Sequence, residues 1–199
     1  MPHRYPDSPV LYRRLDREYP LIVRGEGCWL IDDAGRRYLD GCGGAFVACL
    51  GHGVPEVVEA VADQMRRVGF VSGISFTNQA VEELASEMAG LSQGDLSHFY
   101  FLSSGSDAVE AALKLARQYW VERGRPNKHV IVALAPGYHG NTLLTLSAGG
   151  REHYKKYFRP WLTDVEQLAA PYPYRCPCRG ADPACPRCNG KALEESLLR

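Results

Sequence analysis

Three groups of residues in this 199-residue chain have the types and spacing to do chemistry. The first is the turn Ser103-Ser104-Gly105-Ser106, which follows the apolar run Phe99, Tyr100, Phe101, Leu102 and precedes a strongly helical stretch. A strand feeding a helix through a small, hydroxyl-rich turn is a ready anion site. The first amides of the helix lack internal partners, the helix dipole favours negative charge, and glycine permits close approach. The Ser104 and Ser106 hydroxyls would add two donors, with Asp107 facing away from the anion. The same residues also read as a plain N-cap, in which serine satisfies orphan amides. Neither Gly-x-x-x-x-Gly-Lys-Ser/Thr nor Gly-x-Gly-x-x-Gly occurs here.

The second group is Tyr138-His139, reached from the apolar stretch 130–134 through Ala135-Pro136-Gly137. Such a loop lies at the carboxyl end of a strand, where open α/β sheets bind ligands. A tyrosine there can lie flat on a planar ligand, or it can be structural. His139 either packs behind that ring or supports it by a hydrogen bond. The third group is Cys176, Cys178, Cys185 and Cys188, spaced C-x-C-x6-C-x2-C among prolines. Four thiolates on two knuckles could close a tetrahedral zinc site. The alternative is a reduced-thiol loop before a helix starting near Lys191. Cys28, Cys42 and Cys49 are expected to be packing residues.

Bulk properties exclude several classes. Apolar residues make up 45% and charged residues 23%, so the chain can fold around a core. Formal net charge is zero with no basic block, which gives nucleic acid or an anionic membrane nothing to bind. No apolar run reaches the roughly 18 residues a membrane span needs, and the first 18 residues are charged rather than signal-like. Seven cysteines without a secretory signal point to reduced thiols and a cytoplasmic protein.

The elements that must position these groups alternate. Residues 1–19 read as a polar arm with a short helix near 8–17. Segments 21–23, 28–31 and 37–39 read as a strand meander turning at Asp32-Asp33-Ala34-Gly35. Val54, Val57, Val58, Val61, Met65 and Val68 fall at helical spacing, giving a helix over 55–68 with proline in its first turn. Ala80, Leu84, Met88 and Leu91 mark a second helix over 78–91, and both apolar stripes are expected to be core. A long helix over 107–123 follows the serine turn. The continuous apolar run 130–134 suits a buried parallel strand. Strands alternating with helices predict an α/β layer architecture.

The whole segment Ser104-Gly105-Ser106-Asp107-Ala108, with Lys114-Leu115-Ala116-Arg117 closing its helix, resembles the phosphate cup of class III aminotransferases. These are pyridoxal-phosphate enzymes of fold type I. Arg24-Gly25-Glu26-Gly27, Trp29, Ile31-Asp32, the stretch from Gly35 to Gly41, and Gly51-His52 are similar to the family's N-terminal signature. Tyr138-His139-Gly140 resembles its aromatic-His-Gly motif, and Tyr174-Arg175-Cys176-Pro177 a loop of one bacterial branch. Ser103 and Asp107 depart mildly from the family's usual Asn or Gly and Glu.

The resemblance implies pyridoxal 5'-phosphate held by Ser104, Gly105, Ser106, Tyr138 and His139. It also implies an amino-acid or amine donor, a keto-acid or aldehyde acceptor, and an active site shared across a homodimer. It divides the chain into 1–50, an arm and meander of the small domain, and 51–199, an incomplete cofactor-binding large domain with the cysteine-rich loop 174–190. The family's pyridine-pairing Asp and Schiff-base Lys lie beyond the point reached by Arg199. Lys114, Lys128, Lys155, Lys156 and Lys191 sit in no matching motif. The expectation is therefore the N-terminal half of a fold type I enzyme with no catalytic residue of its own, inactive alone. The alternative is a non-catalytic or zinc-stabilised binding module.

Overall fold

The computed structural model describes residues 3–92, 95–172, 174, 185 and 194. Backbone contacts group the chain into two units, Met1–Leu91 and Ser92–Arg199.

In the first unit, β1 (Ile22–Glu26), β2 (Trp29–Asp32) and β3 (Arg37–Leu39) form an antiparallel meander in the order β1-β2-β3. Its hub is Asp32, 1% exposed. One carboxylate oxygen accepts the amides of Ala34 (3.0 Å) and Arg36 (2.8 Å). The other accepts Arg36 Nε and the Tyr38 hydroxyl, both at 2.8 Å. Burial alone would raise the Asp32 pKa. The bonds from the Arg36 amide, the Tyr38 hydroxyl and the Arg36 guanidinium outweigh it and hold the group below the usual carboxylate range. A carboxyl depressed in the folded state stabilises above its unfolded pKa of about 3.9 and loses that contribution as pH falls through the folded value. Asp32→Ala is expected to lower the melting temperature by on the order of 10 °C, because four donors lose their acceptor. Asp32→Asn should flatten the acid limb of the melting-temperature profile, which calorimetry between neutral and acid pH would check.

Residues 51–53 lie along β1. Gly27 and His52 exchange backbone hydrogen bonds of 3.0 and 2.8 Å, and His52 Nε2 pairs with Asp40 at 2.8 Å. The His52 bond holds the Asp40 pKa low. A Cβ on Gly51 would stand 2.9 Å from the Gly27 carbonyl oxygen, and its φ of +89° also excludes other residues. Between these contacts, α1 (Gly43–Phe46) is a single turn with positive φ throughout, including 66° at Ala45 and 70° at Phe46. It is a left-handed turn, not an ordinary helix.

Helix α2 (Pro55–Arg67) opens on its proline and carries Arg66 and Arg67 in its last turn, where the dipole favours cations. Helix α3 (Gln79–Leu91) follows Asn78, whose side chain accepts the Val81 amide at 3.1 Å. Both apolar stripes exist, yet neither helix buries a residue; Val58, Val61 and Met65 are exposed. The expectation that they are core is corrected: among the described residues nothing is packed closely enough to bury them. Cys28, Cys42 and Cys49 are likewise exposed rather than packed. Residues 8–17 form turns and bends, not a helix.

In the second unit, residues 99–102 form no strand and pair with none among the described residues. Their β-favouring side chains lack a ladder to join. Helix α4 (Gly105–Glu122) follows. Strand β4 (Val132–Ala135) then leads through α5 (Leu143–Ala148), α6 (Glu152–Lys155) and a 3-10 turn (Arg159–Trp161) to β5 (Glu166–Ala169). The two strands are parallel, with Val132 opposite Glu166 and Ala135 opposite Ala169. Paired with β5 alone among the described residues, β4 buries Ala133 while Val132 and Leu134 stay partly exposed, so it is less enclosed than its sequence suggests. The buried residues described in this unit include the apolar Ala133, Leu146, Ala148 and Cys185 and the polar Thr145, Ser147 and Lys155. Lys155 Nζ donates to the Ser147 carbonyl at 2.8 Å. Among the described residues no helix is long and apolar enough to cross a membrane.

Candidate functional site: a helix-end cup beside an aromatic loop

Ser104 is the N-cap of α4, with extended backbone (φ −153°, ψ 163°). Its hydroxyl accepts the Asp107 amide at 3.1 Å and donates to the Asp107 carboxylate at 2.8 Å. Two expectations change here. Asp107 turns back onto the cap instead of facing away, and the Ser104 proton is committed to it. What remains for an anion are the Gly105 and Ser106 amides, which the first helical turn cannot satisfy internally, and the Ser106 hydroxyl proton. Ser106 Oγ accepts the Asn141 amide at 3.0 Å, and that bond leaves its own proton free to donate.

That bond joins the second group to the first. The loop carrying Tyr138 and His139 leaves β4 and is pinned to the first turn of the cup helix. Gly140, buried with φ +142°, lies against Ser106 and Thr145. Thr142 caps α5 in a reciprocal capping box with Thr145 and donates to Glu110 Oε2 at 2.7 Å. Tyr138 is 57% exposed, so its ring is accessible to a planar partner. Arg151 stands 5.6 Å from the ring centroid, and Tyr154 meets it edge-on at 6.2 Å. His139 is half-buried, and its Nε2, shielded from solvent, finds no hydrogen-bond partner among the described residues. A cavity of about 400 Å³ runs behind the loop, lined by Val109, Leu113, Leu134, Tyr138 and His139. A larger one of about 660 Å³ lies toward the other end of α4. There Lys128 Nζ sits 3.8 Å over the Trp120 ring, away from the cup.

Ser104, Gly105, Ser106, Tyr138 and His139 thus all fall in the second unit, and bonded segments bring cup and loop together. Sequence reasoning missed the roles of Asn141, Thr142 and Glu110, although Thr142 ahead of apolar Leu143 and Leu144 is a readable N-cap signal. Of the four cysteines weighed for zinc, Cys176, Cys178 and Cys188 lie outside the described residues, as does the start of the expected helix at Lys191; Cys185 is buried. Among the described residues no group of three or more His, Cys, Asp or Glu could hold a metal ion.

A helix-end cup bonded to an aromatic loop at the carboxyl end of a parallel strand belongs to the N-terminal part of the pyridoxal-phosphate fold type I architecture. The chain is a member of the class III aminotransferase family, whose model matches residues 12–197. Adenosylmethionine-8-amino-7-oxononanoate aminotransferase of Geobacter sulfurreducens is 36% identical over 180 residues, covering 90% of this chain and 39% of that protein. An amine transaminase from an uncultivated Pseudomonas species, solved with pyridoxal phosphate bound, superposes with a TM-score of 0.84 at 31% identity, covering 96% of this chain and 44% of that one. An (S)-enantioselective omega-transaminase from Thermomicrobium roseum gives 0.83 at 38% identity, covering 92% of this chain and 40% of that one. The chain therefore spans about two-fifths of the length of these relatives.

Proposed function

We propose that this chain supplies the phosphate cup and ring shelf of a pyridoxal-phosphate-dependent aminotransferase. The observation that carries the reading is the Asn141–Ser106 bond of 3.0 Å, which sets an accessible tyrosine beside a helix end with unsatisfied amides. The residues present fit the group. The Gly105 and Ser106 amides and the Ser106 hydroxyl suit a phosphate, Tyr138 suits the pyridine face, and the unpartnered His139 Nε2 suits a polar neighbour supplied from outside the described residues. When bound, pyridoxal phosphate supplies an aldehyde and an electron-withdrawing pyridine for amino-group transfer.

The chain's own part is to bind and orient. The cup fixes the phosphate by charge-assisted bonds from backbone amides, and Tyr138 holds the ring plane and keeps water off one face. The only lysine buried among the described residues, Lys155, is committed to the Ser147 carbonyl, so it does not serve as the cofactor's amine. In the complete enzyme the donor would be an amino acid or amine and the acceptor a keto acid or aldehyde, in a cytoplasmic homodimer. Residues 1–50 would belong to its small domain and 51–199 to its large one. Zinc at Cys176, Cys178, Cys185 and Cys188 is no part of this proposal, and metal analysis of the purified chain would detect it.

The test is titration with 4'-deoxypyridoxine 5'-phosphate, which lacks the aldehyde and cannot react with surface lysines. Saturable binding that inorganic phosphate competes away is expected. Tyr138→Ala should weaken it about fivefold to tenfold, on the order of 1 kcal/mol for a stacked ring. Because the Tyr138 side chain is largely exposed, melting temperature should not move. Absence of saturable binding by the parent chain would overturn the reading.

A further inference from the structure

Ser106 and Glu110 are one turn apart on α4 and so lie on one face of it. They grip successive residues of the Tyr138 loop. Ser106 Oγ accepts the Asn141 amide at 3.0 Å, and Glu110 Oε2 accepts the Thr142 hydroxyl at 2.7 Å, across 35 and 32 residues of chain. We propose that Glu110 is a positioning residue: through Thr142 it sets the orientation of the Tyr138 ring over the cup without touching the ligand. The inference rests on the reading of cup and ring as a site for a phosphorylated pyridine.

One contact between a loop and a helix is a pivot; two adjacent contacts fix an orientation. The ionised carboxylate also fixes the direction of the hydrogen bonds. A carboxylate only accepts, so the single Thr142 proton points at Glu110. The Thr145 hydroxyl, 2.7 Å from Thr142 Oγ1 and 3.2 Å from the Thr142 carbonyl, then donates within its own turn. Thr145 is completely buried, so its own hydroxyl has no water to take the place of a lost partner. With Glu110 removed, the Thr142 proton can turn back to Thr145. The capping box of α5 survives, but only the Ser106 pivot still holds the loop to α4.

Electrostatics argues that the tether has a use beyond folding. A carboxylate little more than one turn behind an anion-binding helix end repels the anion that the end attracts. Its removal should therefore leave phosphate affinity unchanged or raise it. Loss of orientation should instead weaken a ligand that needs the ring shelf. The two effects have opposite signs, which a general loss of structure cannot mimic.

The experiment compares the parent chain with Glu110→Ala and Glu110→Gln, using inorganic phosphate and 4'-deoxypyridoxine 5'-phosphate as probes. The ring signal of Tyr138 is followed by 19F NMR in fluorotyrosine-labelled protein. Glu110→Ala is expected to weaken the ring-bearing probe roughly tenfold, the fold-change for losing a hydrogen bond to a charged acceptor, with phosphate affinity equal to or above the parent's. The Tyr138 signal should shift or broaden without ligand. Glu110→Gln, whose amide oxygen still accepts from Thr142, should restore both. Equal losses for the two probes, or a Tyr138 signal unchanged in Glu110→Ala, would overturn the proposal. If the parent binds neither probe, the cofactor reading fails. The Tyr138 signal then decides the clasp by itself: movement in Glu110→Ala with return in Glu110→Gln upholds it, and no movement sinks it.

Discussion

Alanine at position 140 is expected to destabilise the second unit by roughly 2–4 kcal/mol and to lift the Tyr138 loop off α4. The added Cβ would stand 2.6 Å from Thr145 Oγ1, 2.8 Å from Ser106 Oγ and 2.9 Å from Ser106 Cα. None of the three can yield cheaply. Thr145 is fully buried within a capping box, and Ser106 Cα is backbone of the first turn of α4. The φ of +142° adds strain of its own for any residue with a Cβ. Gly105→Ala is the matched control. Nothing lies within 4 Å of its Cβ position, so melting should hardly change, while a ligand closing on the cup would meet the new methyl. Thermal and urea unfolding followed by tryptophan fluorescence would separate the two glycines. An unchanged midpoint for Gly140→Ala would mean the loop is not seated as described.

The second large effect concerns association. At roughly micromolar concentration and above, the 199-residue chain is expected to bind hydrophobic dyes and to sediment faster than a 22.1 kDa monomer. The three longest helices, α2, α3 and α4, bury no residue. On α2 alone Val57, Val58, Val61 and Met65 are 44–64% exposed, and on α4 Leu115 is 67% exposed. An apolar stripe at helical spacing gains about 25 cal/mol for each square ångström it removes from water, so uncovered stripes recruit any apolar partner. The edge of β4 that pairs with no strand among the described residues adds backbone groups that template strand addition. A single monomeric boundary with no dye binding would show that these faces are covered within the chain.

What could be read from residues alone follows a physical divide. The caps and turns were legible because their chemistry is local: Ser104 ahead of α4, Pro55 at the start of α2, and the Asp32 turn between β2 and β3. The cup and the aromatic loop were legible for the same reason, with the family resemblance supplying their partnership. Elements that depend on a neighbour were not. The Glu166–Ala169 sequence has no β-branched residue and is a strand only because β4 lies beside it. Residues 99–102 have the opposite history, strand-favouring side chains without a ladder. Positive φ at Ala45 and Phe46 runs against what L-residues prefer, so no local rule would place a left-handed turn there. The Glu110–Thr142 bond leaves no local trace, since neither residue is unusual in its own segment.

The parallel pairing of β4 with β5 also bears on the order in which the second unit folds. Val132 meets Glu166 only after the intervening chain has been drawn through α5, α6 and the 3-10 turn, so loop-closure entropy is lost before any ladder bond forms. The Thr142–Thr145 capping box spans three residues and needs no such closure. Structure should therefore spread outward from α5, with the sheet last to gain protection and first to lose it. In pulse-labelling hydrogen exchange, the Leu146 and Gly149 amides, bonded to Thr142 and Thr145, should become protected before that of Glu166, which reaches across to Ile131.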